Sequence, residues 1–259
     1  MGHERIGFLP KRKKWQHIID QLSQFDSNDE EIIKKIAYQT LSNIRNKYKS
    51  LANDESIIKA IKYLAILLVS TRKENQTDFL KKNGIEAHDI SLFNLIGSAK
   101  SFLNIENVSL ESNKITIDAL LNTLISYESS KKNGQILLFG DQSINIWSNI
   151  NSGAEFCELA RGFFASFTDR YLRYYLEREA ANTINDYQHI NSFSSNLLKL
   201  VNDISQHAFD TSKIMQSFAA GWFNSHAVDK IPSEKEIISF LDLSFSKMRE
   251  EFRREAEEK

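Results

Sequence analysis

A single cysteine, Cys157, occurs in the 259 residues. One thiol closes no intramolecular disulfide and supports no zinc site built on two or more thiolates, and its isolation fits a reducing cytoplasm. Proline and glycine are scarce as well, with 2 and 9 copies. These residues punctuate folds made of many short strands, so their scarcity points to helices. An excess of one charge is also missing. The net charge of -1 excludes a surface that attracts polyanions as a whole. No apolar run approaches the length of a membrane span; the best is 63–69. Neither phosphate-cradling glycine motif occurs, nor the G-x-S-x-G turn of a serine nucleophile.

What the chain does contain is periodicity. The hydrophobic share of 41% and charged share of 26% are those of an ordinary globular protein. Trp15, Ile18, Ile19 and Leu22 share one face of a first helix. Ile33, Ile36, Ala37, Leu41, Ile44, Tyr48 and Leu51 recur at three- and four-residue steps, and Ile57, Ile61, Leu64, Ala65 and Leu68 continue a third helix. Ser27 with Glu30, and Ser233 with Glu236, have capping-box spacing, while Asp54 and Asp89 stand where helix N-caps are expected. Asn83-Gly84 closes a short helix, the glycine being free to take the left-handed conformation. Residues 154–184 form the strongest segment, with Phe156, Leu159, Phe163, Phe167, Tyr171 and Tyr174 along one stripe and an Asp169–Arg173 pair beside it. The run 134–140, apolar between turn signals, is the one strand expected.

The expected fold is all-α, an irregular multi-helix bundle with at most a minor β element. Its expected parts are a basic docking arm (1–14), an N-terminal helical half (15–132), a connecting segment (133–153) and a C-terminal helical half ending in an amphipathic helix (154–259). The halves of the 76–102 region also have the order of a helix-turn-helix, but two packed helices explain it better, since the second helix offers only Lys100 as a cation for DNA.

Few side chains invite chemistry. His88-Asp89 is the adjacent pair that all-helical metal-dependent phosphohydrolases use, but it follows a loop sequence and no second motif accompanies it. His3-Glu4 lacks the second histidine of a zinc-protease helix. The sequence thus makes no positive case for catalytic residues, a metal or a cofactor.

The opening stretch is more distinctive. Its first fourteen residues carry a net +4, leaving -5 for the rest. Its apolar part is too short, and its charge is on the wrong side, for a secretory signal. Ile6, Phe8, Leu9 and Trp15 are unlike a solvated tail, while Gly7 and Pro10 bar a continuous helix. The arm is therefore expected to dock in extended form on its own core or on a partner, with Arg5, Phe8, Lys11, Arg12, Lys13, Lys14 and Trp15 as contact residues. At the other end Leu241, Phe245, Met248 and Phe252 make a four-three-four seam suited to another helix, either from a second chain or from the same bundle. The expected function is a non-enzymatic interaction or accessory subunit of a bacterial-type cytoplasmic multiprotein complex, with protein partners, self-association through the seam and no membrane insertion. The alternative is a nucleic-acid-binding accessory protein that uses the basic arm.

Overall fold

The apolar spacing resolves into ten α-helices in the computed structural model, which describes residues 13–26, 30–44, 48, 50–104, 110–139, 145–184, 186–207, 213–228 and 230–257; among these no strand occurs. We label them α1 (Lys13–Ser23), α2 (Glu30–Asn43), α3 (Glu55–Ser70), α4 (Gln76–Lys82), α5 (Leu92–Phe102), α6 (Leu110–Phe139), α7 (Gly153–Thr183), α8 (Tyr187–Gln206), α9 (Lys213–His226) and α10 (Glu234–Glu257).

Local chemistry sets most of their ends. Asp54 caps α3 by accepting from the Ser56 and Ile57 amides, and its carboxylate also accepts from Ser112 of α6 at 2.7 Å. Ser152 and Glu155 form a capping box at the start of α7, and Ser233 and Glu236 form one at α10. Such caps satisfy amides that the first helical turn cannot. Gly84 closes α4 with φ +81°, a backbone angle that side-chain-bearing residues avoid.

Several boundaries differ from expectation. The strand expected at 134–140 is instead helical backbone as far as Phe139, the last two turns of the 30-residue α6; an established helix adds one hydrogen bond per residue and overrides short-range strand preference. The second helix is described as far as Asn43; Tyr48, whose amide donates to the Ile44 carbonyl at 2.8 Å, and Ser50 are helical as well, and Leu51–Asn53 make a single 3-10 turn. The cap of α5 is Ser91, not Asp89. Asp89 lies two residues earlier and accepts from the Ser91 amide at 2.9 Å and from Asn94 at 2.7 Å, bonds that lower its pKa. Residues 83–91 separate α4 from α5, too long a link for a helix-turn-helix turn. The capping box expected at Ser27 and Glu30 includes residues outside the described ones.

α7 is the axis of the bundle. It packs most extensively on α6, α8 and α9, and also meets α1, α2 and α3. Its aromatic stripe is core: Phe156, Phe163, Phe164 and Phe167 are fully buried. Phe156 stacks on Phe223 at 5.0 Å and on Trp222 at 5.3 Å, Phe167 on Tyr171 at 5.6 Å. Each such side chain contributes about 1.5–3 kcal/mol on burial. Beside the stripe, Arg173 donates to both Asp169 oxygens at 2.9 Å and to the Ser194 carbonyl of α8 at 2.7 Å. Burial nevertheless pushes the Asp169 carboxyl upward against the pull of that guanidinium. α1, α2 and α3 pack on α7, α8 and α10, so one continuous apolar cluster runs from Trp15 to Phe252.

Candidate functional site

The residues singled out in the sequence are placed unequally. Arg5, Phe8, Lys11 and Arg12 lie outside the described residues. Lys13 is exposed at the first position of α1, and Lys14 continues that helix. Trp15 is 4% exposed and stacks on Tyr175 of α7 at 6.2 Å, which ties α1 to the core.

The C-terminal seam requires a correction. Leu241, Phe245, Met248 and Phe252 are 0–3% exposed within the chain itself. Phe245 meets Tyr48 edge-on at 5.2 Å and Phe164 at 5.1 Å. α10 lies against α2, α3, α8 and α9, so of the two covers expected for this apolar face, a second chain or the same bundle, the bundle covers it. Past Met248, Phe252 is as buried as Leu241.

An open groove of about 420 Å³ lies between α6, α7 and α8. Asn122, Ser126 and Ser130 follow one another at four-residue steps along α6, so they form a single polar line. The floor is Thr123, Leu159 and Gly162. A methyl group on Gly162 would meet the Thr123 side chain at 3.4 Å, so the glycine lets α6 and α7 approach closely below the groove. Arg161, Ser166 and Arg170 come from α7, and Leu198 and Asn202 close the far wall from α8.

Hydrogen bonding inside the groove leaves a defined residue of free capacity. Ser166 Oγ accepts from Arg170 at 2.5 Å and from Asn122 Nδ2 at 3.3 Å. Ser130 donates its hydroxyl to the Tyr127 carbonyl at 2.8 Å, and Asn202 donates its amide to the Leu198 carbonyl at 3.0 Å. With its one donor spent on its own helix, Ser130 offers acceptor lone pairs to a ligand, Asn202 offers its carbonyl oxygen and a second N–H, and the Arg170 guanidinium retains further N–H donors. Glu158, the one carboxylate in the lining, pairs with Lys131 at 2.6 Å, and Lys131 also lies 5.1 Å over the Tyr127 ring. Burial, with Glu155 and Glu158 nearby, raises the Tyr127 pKa, so its phenol keeps its proton; its oxygen is sealed and closes no hydrogen bond. Leu198 is 42% exposed, an apolar step in a polar wall.

A second groove of about 230 Å³ lies between α2, α8 and α10, and four of its charged residues are mutually paired: Glu30 with Lys199 at 3.0 Å and Lys34 with Glu255 at 3.4 Å. His88 and Asp89 are both exposed, in the link before α5. Among the described residues, no three His, Cys, Asp or Glu side chains converge as metal ligands, and no helix is long and apolar enough to cross a membrane.

The groove residues went unremarked in the sequence because a polar line on one helix looks like any solvated face. Only the packing of α8 opposite α6 turns Asn122, Ser126 and Ser130 into a wall. The four-residue recurrence of small polar residues was the available signal, and it does not distinguish a groove from open surface. In comparisons with known proteins, no family model, no characterised relative and no solved structure matches the chain.

Proposed function

We propose that this chain is a non-enzymatic helical interaction subunit that holds an extended polypeptide segment of a partner in the α6–α7–α8 groove. One observation carries the reading. The groove presents acceptor oxygens from Ser130 and Asn202 alongside guanidinium donors from Arg170, with Leu198 exposed between them. A polypeptide backbone offers the complementary set, alternating N–H donors and carbonyl acceptors, and its side chains supply an apolar contact for Leu198. The lining has no histidine, cysteine or aspartate, and its one carboxylate is engaged by Lys131, so its chemistry favours holding over turnover.

The assembly is read as a multiprotein complex in the cytoplasm, consistent with the lone, buried thiol of Cys157. A second reading, nucleic-acid binding through the basic arm, is supported by the exposure of Lys13 two residues before the anchored Trp15: the anchor holds α1 while its leading cation faces solvent.

Filling the groove tests the first reading. Ser126→Trp alters an exposed position in its wall and should leave helical content and thermal midpoint unchanged while abolishing capture of the proteins that co-purify with the native chain. Equal capture by both forms contradicts it. Loss of capture only on neutralising Lys11, Arg12, Lys13 and Lys14, together with loss of bound nucleic acid, transfers the function to the arm.

A further inference from the structure

α2 and α10 run antiparallel: Lys34 meets Glu255 at one end, and Tyr48, just beyond α2, meets Phe245 at the other. Between these contacts lies an open groove of about 290 Å³ lined by Tyr38, Ser42, Arg249, Glu250 and Arg253. A much smaller hollow adjoins it, lined by Tyr48, Asp242, Phe245, Ser246 and Arg249. Arg249 is common to both.

The two arginines of this groove are used differently. Arg253 is engaged by Glu250 and Glu257, each at 2.5 Å. Arg249 is half-buried and has no hydrogen bond or ion pair among the described residues. It interacts electrostatically with Glu250 and the Tyr48 phenol, but partly desolvating a guanidinium that no hydrogen bond compensates is unfavourable, and an anion seated over it would offset that. The neighbouring Tyr48 is 1% exposed, its phenol facing the Thr168 hydroxyl, and burial raises its pKa. The surroundings suit one kind of anion. Arg249 and Arg253 are four residues apart, about 6 Å along the helix axis, so they follow the groove instead of clustering at a point. Tyr38 places a half-buried aromatic ring in the same wall, and Ser42 adds a hydroxyl. In the adjoining sequence 43–50, three cations (Arg45, Lys47, Lys49) occur with no anion. Two arginines beside an aromatic wall supply the phosphate and base contacts that an unpaired nucleotide uses, with Glu250 in the same lining and Asp242 in the adjoining hollow as the anions a phosphate must outcompete.

We propose that the α2–α10 groove binds single-stranded nucleic acid, with Arg249 anchoring a backbone phosphate, Ser42 and Arg253 flanking it, and Tyr38 stacking on a base. The site is distinct from both the basic arm and the α6–α7–α8 groove. Glu250 acts as an internal competitor: it holds Arg253 until a phosphate replaces it, which keeps binding weak and dependent on salt.

The test uses the full chain and a fluorescein-labelled oligothymidylate, with anisotropy titrations over a series of salt concentrations. Arg249→Ala should weaken binding and reduce the log–log salt slope by about 0.7, the value for one phosphate contact on a single strand. Arg249→Lys should restore most of the slope. Glu250→Gln should tighten binding, and Tyr38→Leu should weaken it by about 5- to 150-fold, the range expected for one lost base stack. Circular dichroism and thermal midpoint accompany each variant, and Arg249→Lys and Glu250→Gln, which preserve side-chain volume, carry the test if the truncating variant unfolds. Absence of binding at low salt overturns the proposal. So do equal affinity and slope for the wild type and Arg249→Ala, including the case in which neutralising Lys11 to Lys14 alone removes binding.

Discussion

Arg72 at the end of α3 donates its Nη1 to the carbonyl of Val228, 156 residues later, at 3.1 Å. The same guanidinium donates to the carbonyl of Asn151 and lies 5.8 Å over the ring of Phe223. One side chain thus joins α3, the turn before α7 and the link after α9. Hydrogen bonds from a charged donor contribute about 1.5–3 kcal/mol each when shielded, and less at this partly exposed site. Arg72→Ala should destabilise the chain by about 1–3 kcal/mol. Arg72→Lys should recover little, since an ammonium cannot serve divergent carbonyls as a fork does. Chemical denaturation measures both, and equal stability of Arg72→Lys and wild type would contradict this account.

Glycine substitutions should divide by sign. A methyl group on Gly153 would sit 2.7 Å from the Ala220 carbonyl oxygen and 3.0 Å from its Cα, and that backbone cannot yield. Gly153→Ala should therefore destabilise by about 1–3 kcal/mol, as overpacking does. Gly97 and Gly221 lie inside helices, with nothing within 4 Å of the added carbon. Gly97→Ala and Gly221→Ala should each stabilise by about 0.5–1 kcal/mol through helix propensity. Thermal unfolding of the three variants side by side is the check.

The end of α10 belongs to the core. Phe252→Ala should cost about 3–5 kcal/mol. Truncation after Lys247, which also removes Met248, should lower the thermal midpoint with no change in assembly state at matched concentration, read by light scattering. A truncated chain of unchanged stability that loses self-association would instead restore the seam as a handle between chains.

Acid should expose the cap of α10. Glu236 accepts from the Ser233 amide and hydroxyl, each at 2.7 Å, and these bonds hold its carboxyl at a pKa of about 2. In the unfolded chain a glutamate titrates near about 4.3. Because the folded value is depressed, the stabilisation is complete above the unfolded value and is lost as pH falls through the folded one. The difference in thermal midpoint between wild type and Glu236→Gln should be constant above about pH 5 and shrink toward about pH 2. A difference that ignores pH would show that the ionised carboxylate is not the stabilising group.

The helices were legible because an amphipathic helix writes its buried face at steps of three and four residues, and Phe156, Phe163 and Phe167 follow that rule into the core. What the sequence hid was what covers each face. The apolar side of α10 has the same pattern whether its cover is α2 or a second chain. The polar line of Asn122, Ser126 and Ser130 has the same pattern whether α8 stands opposite or water does. Arg249, likewise, is one cation among many until its position between two hollows sets it apart. Local signals misled where a longer element prevailed, as at 134–139, where α6 carries an apolar run that alone suggests a strand. They also misled where two cap-forming residues stood close together, as Asp89 and Ser91 do.

The central claim concerns the α6–α7–α8 groove, and position-specific photo-crosslinking tests it most directly. Benzoylphenylalanine is introduced in place of Ser126 or Asn202, on opposite walls of the groove, and in place of Phe93, which is 84% exposed on α5 away from it. In the native complex the two groove positions should cross-link to one continuous segment of the same partner polypeptide, and position 93 should not. Cross-links from position 93 with none from 126 or 202, in a complex that forms normally, would contradict the assignment of the groove.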